Sequence, residues 1–166
     1  MSDTYTRLVD LLEAGGARYR LIDHPAEGRT EEASRLRGHG LAPSAKSLVV
    51  RVSLTKRTGR YLLAVVSGHD QVDLDELARL GGGSKAVLAA RHVAEQLTGA
   101  VSGSIPPVAF DPGLELLVDP ALLEHEEIFF NAARLDRSLA VRTADYLRLV
   151  RPRVAPIAAP ALERAS

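Results

Sequence analysis

The sequence predicts an α+β fold: a single compact domain with a curled, largely antiparallel mixed sheet surrounded by short helices. Three observations carry this reading. Residues 46–54 and 60–66 are β-branched, apolar runs joined by the polar turn Thr55-Lys56-Arg57-Thr58-Gly59, the pattern of a hairpin. Strands and short helices mix without the regular alternation that marks a parallel βαβ series. The chain has 166 residues, 46% hydrophobic and 25% charged, which suits one domain with a real core.

The elements follow in order. Residues 3–14 read as a helix capped by Asp3, with Leu8, Leu11 and Leu12 on one face and Gly15-Gly16 as the stop. A short strand is expected over 19–22, after which His24-Pro25 forces an extended turn; His24 is a candidate to order the loop before Thr30, and a surface His-Pro turn explains it at least as well. Thr30 with Glu31-Glu32 reads as a capped helix start, its acids on the positive helix end, running to Gly38. After the hairpin, Asp73-Leu74-Asp75-Glu76 has the form of a capping box for a helix ending at Gly81-Gly82-Gly83. Further on come a strand near 84–87, a helix over 91–97 stopped by Gly99, and a loop at 103–107 stiffened by Pro106-Pro107. Strands at 114–118 and 128–130 flank a helical turn at 121–124, and a last strand at 138–141 precedes a capped helix at 143–150. Residues 1–151 form the expected domain, and the Pro-rich end, 152–166, is expected to be a loosely held tail.

Composition narrows the function classes. The 21 basic and 21 acidic residues cancel, so no global field draws in nucleic acid or an acidic membrane, and RNA binding has to come from a local patch or a partner. The chain has no cysteine, which excludes a thiol nucleophile, a disulfide framework and Cys-ligated zinc. Met1-Ser2-Asp3-Thr4 lacks the basic start and apolar core of a signal peptide, and no run approaches the ~20 apolar residues that span a bilayer. A cytoplasmic protein with no membrane partner is the expectation. No Walker A, GxGxxG or GxSxG pattern is present, and His24, His39, His69, His92 and His125 show no HxH or HExxH spacing. No metal and no cofactor are expected.

The chemical handle that remains is Lys46, a cation at the threshold of the apolar strand Ser47-Leu48-Val49-Val50-Arg51-Val52. Long cations seldom enter such a place unless something meets them there. From the residues alone an edge lysine that blunts aggregation is the commoner explanation.

Several pieces, in order, resemble the YbaK/ProX superfamily, the free-standing relatives of the editing domain of bacterial prolyl-tRNA synthetase. They are Thr30-Glu31-Glu32-Ala33, Ala45-Lys46-Ser47-Leu48-Val49, Leu63-Ala64-Val65-Val66-Ser67-Gly68 with Val72-Asp73-Leu74 and Leu77-Ala78, then Leu97-Thr98-Gly99, the GxxxP loop 103–107, and Leu117-Val118-Asp119-Pro120 with Leu122-Leu123. The resemblance implies trans-editing: hydrolysis of the ester of a mischarged tRNA, here tRNA(Pro) or a related tRNA carrying a small amino acid. It implies that Lys46 is required for activity, that Gly103, Ser104, Ile105 and Pro107 shape the pocket, and that water and the terminal ribose hydroxyl do the chemistry. Where some branches carry His-Pro followed by Asn-Thr, this chain reads Phe130-Asn131-Ala132-Ala133, which leaves the amino acid open.

In physical terms an aminoacyl ester is labile, so positioning and charge stabilisation suffice. Lys46 is the expected cation for the ester or a terminal phosphate. Thr30, Ser67, Gly68 and His69 are candidate residues of the pocket mouth, although a strand-ending turn explains the last three as well. Asn131 and Asp136 are the polar residues expected to tune specificity, and an ordinary surface role explains them equally. Arg51, Lys56, Arg57 and Arg60 are expected to grip the tRNA acceptor end, and a solvated hairpin tip predicts the same residues. The expected partners are the aminoacylated acceptor end and an aminoacyl-tRNA synthetase. A non-catalytic module that binds tRNA or a synthetase is the alternative, and the oligomeric state stays open.

Overall fold

The computed structural model describes residues 3–159 of the chain. Five helices and eight strands run α1 (Thr4–Ala14), β1 (Tyr19–Asp23), α2 (Thr30–Arg37), β2 (Ala45–Ser53), β3 (Gly59–Ser67), α3 (Leu74–Leu80), β4 (Lys85–Leu88), α4 (Arg91–Thr98), β5 (Leu114–Val118), β6 (Glu127–Asn131), β7 (Arg137–Arg142), α5 (Thr143–Val150) and β8 (Arg153–Val154), among the described residues. A 3₁₀ turn at Leu122–Glu124 links β5 to β6. The α+β reading holds, but the strands form two sheets where one curled sheet was expected. One is antiparallel in the order β1-β7-β6; the other is mixed, in the order β4-β2-β3-β5-β8. The β2–β3 hairpin pairs Ala45 with Ser67 and Ser53 with Gly59, while β5 joins β3 in parallel. A bridge between Ser44 and Phe129 fastens the sheets to each other just before β2 begins.

Burial explains the two-sheet solution. Leu62 to Val66 of β3 are all 0% exposed, because β3 is central and covered on both faces. Alternate residues of β2 and β3 enter two cores. Val49, Leu63 and Val65 pack with α1, β6, β7 and Tyr146 of α5; Val50, Val52, Leu62 and Ala64 pack with α3 and Ile157. A single apolar run therefore serves both faces, and sequence periodicity carries no sign of the second sheet.

Three local readings are corrected. The residue before α2 is Arg29, without a side-chain cap, and Thr30 is its first helical residue; Gly38 closes the helix in the left-handed conformation. Thr143 does not cap α5 either: its hydroxyl donates to the His125 carbonyl. At α3 only half of the capping box forms, with Glu76 N–H donating to Asp73 Oδ1 while Asp73 N–H goes to the Ile157 carbonyl.

The loosely held tail is corrected as well. Arg153 and Val154 add a strand beside Leu117 and Val118, and Ile157 is fully buried. Asp119 anchors the segment, its Oδ1 accepting from Ile157 N–H at 2.8 Å and Ala158 N–H at 3.0 Å. An aspartate read as a motif residue is thus a clamp for the chain end. The rest of the expected tail, residues 160–166, and the first two residues of the expected uncleaved start lie outside the described residues.

Candidate active site

The start of β2, the face of α2 and two loops enclose a cavity of about 340 Å³. Thr30, Ala33 and Arg37 enter it from α2, spaced so that they share one helix face. Ser44 to Leu48, Phe130 and Asn131 line it from the sheets, and Gly28, Gly103 and Ile105 from the loops. Of the residues anticipated from sequence, Lys46, Thr30, Gly103, Ile105 and Asn131 are brought together here.

Two glycine-bearing loops touch at this wall. Gly103 has φ +90°, and a Cβ there would stand 2.7 Å from Gly28 Cα and 2.8 Å from Gly28 O. Only glycine meets both demands, and the contact lets backbone approach whatever fills the cavity. The rest of the 103–107 loop is pinned from behind. Ser104 is fully buried, with its hydroxyl donating to Val101 O at 2.8 Å and its carbonyl accepting from Ala133 N–H at 3.0 Å. The Pro107 carbonyl accepts from Tyr146 O–H at 2.6 Å. Ser104 and Pro107 thus hold the loop and do not line the cavity.

Asn131 ties the walls together. Its Nδ2 donates to Glu27 O at 2.8 Å and Gly103 O at 2.9 Å, which fixes the amide orientation. Its Oδ1 accepts from Ser138 O–H at 2.8 Å and from Arg37 Nη1 at 3.3 Å. His24 stands beneath this network with Nε2 2.7 Å from Ser138 Oγ and Nδ1 2.9 Å from Pro25 O, in keeping with a loop-ordering role.

Two cations line the cavity with no carboxylate partner among the described residues. Lys46 is half-buried, and burial lowers its pKa below the ordinary lysine value. Arg37 is also desolvated, which pushes its pKa down to about 10, so it stays charged at neutral pH. Its hydrogen bonds go to neutral acceptors: Nε to His39 Nε2 at 2.8 Å, Nη1 to Ser138 Oγ at 3.1 Å, Nη2 to Ser44 Oγ at 2.9 Å. His39 Nδ1 lies 2.7 Å from Gly40 O and must donate to it, leaving Nε2 unprotonated to accept from Arg37. The same cavity wall holds Ser47, whose buried hydroxyl has no hydrogen-bond partner among the described residues.

The remaining anticipated residues fall elsewhere. Ser67 O–H donates to Ala42 O at 2.9 Å, and Gly68 N–H donates to Ser44 O at 2.8 Å; both support the loop that carries Ser44 from outside the cavity. His69 is exposed, and Asp136 faces solvent paired with Arg134 at 3.0 Å. The basic cluster lies at the far end of the hairpin. Lys56 and Arg57 are exposed at its tip, Arg51 donates to Ser53 Oγ at 3.2 Å, and Arg60 pairs with Glu115 at 3.0 Å. The seven residue steps of β2 from Lys46 to Ser53 separate tip and cavity by about 23 Å. Cavity and cluster are therefore not one site.

Sequence reasoning missed Arg37, Ser44, Ser47 and Gly28. An arginine in the last turn of a helix reads as a partner for the helix dipole. The available signal was its phase, since Arg37 falls on the same stripe as Thr30 and Ala33.

Fold and cavity together present a small cleft with two cations that have no carboxylate partner among the described residues and with close backbone at its wall. The chain belongs to the aminoacyl-tRNA editing domain family, whose model matches residues 24–149. It is 43% identical over 152 residues to the multifunctional Ser/Thr-tRNA deacylase ProXp-y of Escherichia coli K12, covering 91% of this chain and 90% of the relative. The ProXp-y of Escherichia coli O157:H7 matches equally. Among solved structures, one described as a candidate trans-editing enzyme for prolyl-tRNA synthetase superposes with TM-score 0.75 at 26% identity, covering 96% of this chain and 99% of that one. A hypothetical protein superposes with TM-score 0.81 at 23% identity over 92% of this chain and 99% of its own, a likeness of fold.

Proposed function

We propose that this protein is a trans-editing aminoacyl-tRNA deacylase, hydrolysing the ester of tRNA mischarged with a small hydroxylated amino acid, serine or threonine. The observation that carries it is the half-buried Lys46 ammonium, without a carboxylate among the described residues, in a cavity where the Gly28 and Gly103 backbones meet. The family and the ProXp-y relatives support the reaction and the amino-acid class, and serine and threonine fit the expectation of a small side chain.

In the reaction a water oxygen bonds to the ester carbonyl carbon and the bond to the terminal ribose oxygen breaks, releasing free amino acid and uncharged tRNA. Negative charge gathers on the carbonyl oxygen in between. Lys46 supplies a cation for that oxygen in a partly desolvated site, where its field is stronger than in water. Its three N–H groups make no hydrogen bond among the described residues, so they are available to substrate. The loop glycines let backbone close on the reacting end, and Asn131 holds both loops in place. The balanced formal charge, +0 at pH 7, fits modest intrinsic tRNA affinity supplemented by a synthetase, with the cytoplasm as the place of action.

The test is a panel of aminoacyl-tRNAs, with wild type and Lys46→Ala compared in parallel. Wild type should release serine and threonine fastest, and Lys46→Ala should be nearly inactive. Equal ester loss with either protein would remove Lys46 from the mechanism. Tight tRNA binding without turnover on any substrate would convert the assignment to a binding module.

A further inference from the structure

We propose that Arg37 is a specificity-determining residue that hydrogen-bonds the side-chain hydroxyl of the aminoacyl group, its one uncommitted N–H lying beside the Ser44 hydroxyl. The inference rests on the deacylase reading and names the group that selects the amino acid within it.

The first support is a donor count. A guanidinium has five N–H groups. Nε–H is spent on His39; the two Nη1 donors on Asn131 and Ser138; one Nη2 donor on Ser44. One Nη2–H is left, on a side chain that lines the cavity. Ser44 accepts from Arg37, and its own hydroxyl proton has no acceptor among the described residues. The spare capacity at this corner is one N–H and one O–H, which suits a single oxygen with two lone pairs.

The second support is the type of oxygen such a corner can hold. A phosphate is bound best by an arginine fork offering two parallel N–H groups. Arg37 has no fork to offer, because four of its donors are committed to neutral acceptors. Lys46, with all its donors unspent among the described residues, is the better match for the charged oxygen of the reacting ester. A single neutral hydroxyl is what remains for Arg37.

The third support is rigidity. His39 stacks on Phe129 with ring centroids 3.8 Å apart, and its Nδ1 is tied to Gly40 O, so the acceptor for Arg37 Nε is fixed. Asn131 is fixed in turn by its two carbonyl bonds. A donor held from several sides discriminates, because an analogue without the hydroxyl leaves it unpaired. The neighbouring walls, Ala33, Ala45 and Phe130, are apolar and suit the carbon atoms of a small side chain.

The experiment charges one tRNA with serine or with alanine, two esters differing by the hydroxyl alone, and measures kcat/KM for wild type, Arg37→Met and Arg37→Lys, with thermal melts of each. Wild type should favour the seryl ester. Arg37→Met should reduce the serine-to-alanine ratio about 10- to 100-fold, chiefly through loss on serine. Should Arg37→Met fail to fold, Arg37→Lys, which keeps the charge and loses the planar donor set, should still lower the ratio. An unchanged ratio in a folded variant, or equal slowing on both esters, would overturn the assignment. So would a wild type that cleaves both esters equally well, which leaves deacylation itself intact. A wild type inactive on every charged tRNA would instead overturn the deacylase reading on which this one rests.

Discussion

The two ends of the β2–β3 hairpin both carry cations, and they treat them in opposite ways. At the tip, Lys56 and Arg57 are exposed, and Arg60 is paired with Glu115. At the base, Lys46 and Arg37 are desolvated, with no carboxylate among the described residues. Exposed or paired charges cost little to keep and contribute little. A desolvated, unpaired charge costs stability, and a chain retains it where a ligand supplies the missing partner. On the deacylase reading proposed above, the difference separates a solvated turn from a reacting site: the tip cations stand together in the chain, while Arg37 reaches the base from α2, nine positions before Lys46.

The largest expected effect comes from removing the costly charge. Lys46→Met should lower kcat for seryl-tRNA about 100-fold or more, the scale of a lost oxyanion donor. The same variant should melt at an equal or higher temperature than wild type. Folding depresses the Lys46 pKa, so the ammonium is less stable in the folded chain than in the unfolded one. That penalty is present at neutral pH, begins to shrink as pH passes the lowered value and is gone above the ordinary lysine value, so the gain in melting temperature should shrink in alkali. Loss of activity accompanied by a lower melting temperature would erase the contrast.

Next in size is Gly103→Ala. The added methyl meets the Gly28 backbone at a positive φ, so about 1–3 kcal/mol of stability and most of the activity should be lost, read by urea titration and deacylation. Asn131→Ala should cost a similar amount, because it orphans the Glu27 and Gly103 carbonyls inside the wall; a change below about 0.5 kcal/mol would deny it that role.

A pH profile is the subtler probe. Once uncatalysed hydrolysis is subtracted, activity that needs the Lys46 ammonium should fall as pH rises, with a midpoint below the ordinary lysine value. A rate that stays level beyond that value would show that the charge is not used. The smallest effect is expected at the tip: Lys56→Glu with Arg57→Glu should change single-turnover rates less than about twofold, and any effect on KM should vanish at high salt. A large loss there would show that both ends of the hairpin serve the substrate.

Much of the fold was legible in the chain. Asp3 caps α1 as read, its carboxylate accepting from Thr6 N–H, because a cap and its helix are local. The hairpin and the 114–118 strand were equally plain from β-branched runs and turn residues. The second sheet and the docked end at 153–157 were not, since both depend on distant partners such as Asp119 and Leu117. At the site, Lys46, Gly103 and Asn131 carried signals through motif order and residue type. Arg37 carried only its phase on the stripe of Thr30 and Ala33, because its meaning comes from the lack of a carboxylate among the described residues and from acceptors on three other segments.

The most direct measurement is single-turnover hydrolysis of seryl-tRNA by wild type and Lys46→Met, run beside their thermal melts. The expected result is a rate about 100-fold lower in a variant that melts no earlier than wild type. A folded Lys46→Met protein that hydrolyses the ester at the wild-type rate would contradict the claim that the unpaired cation at the base of the hairpin performs the chemistry.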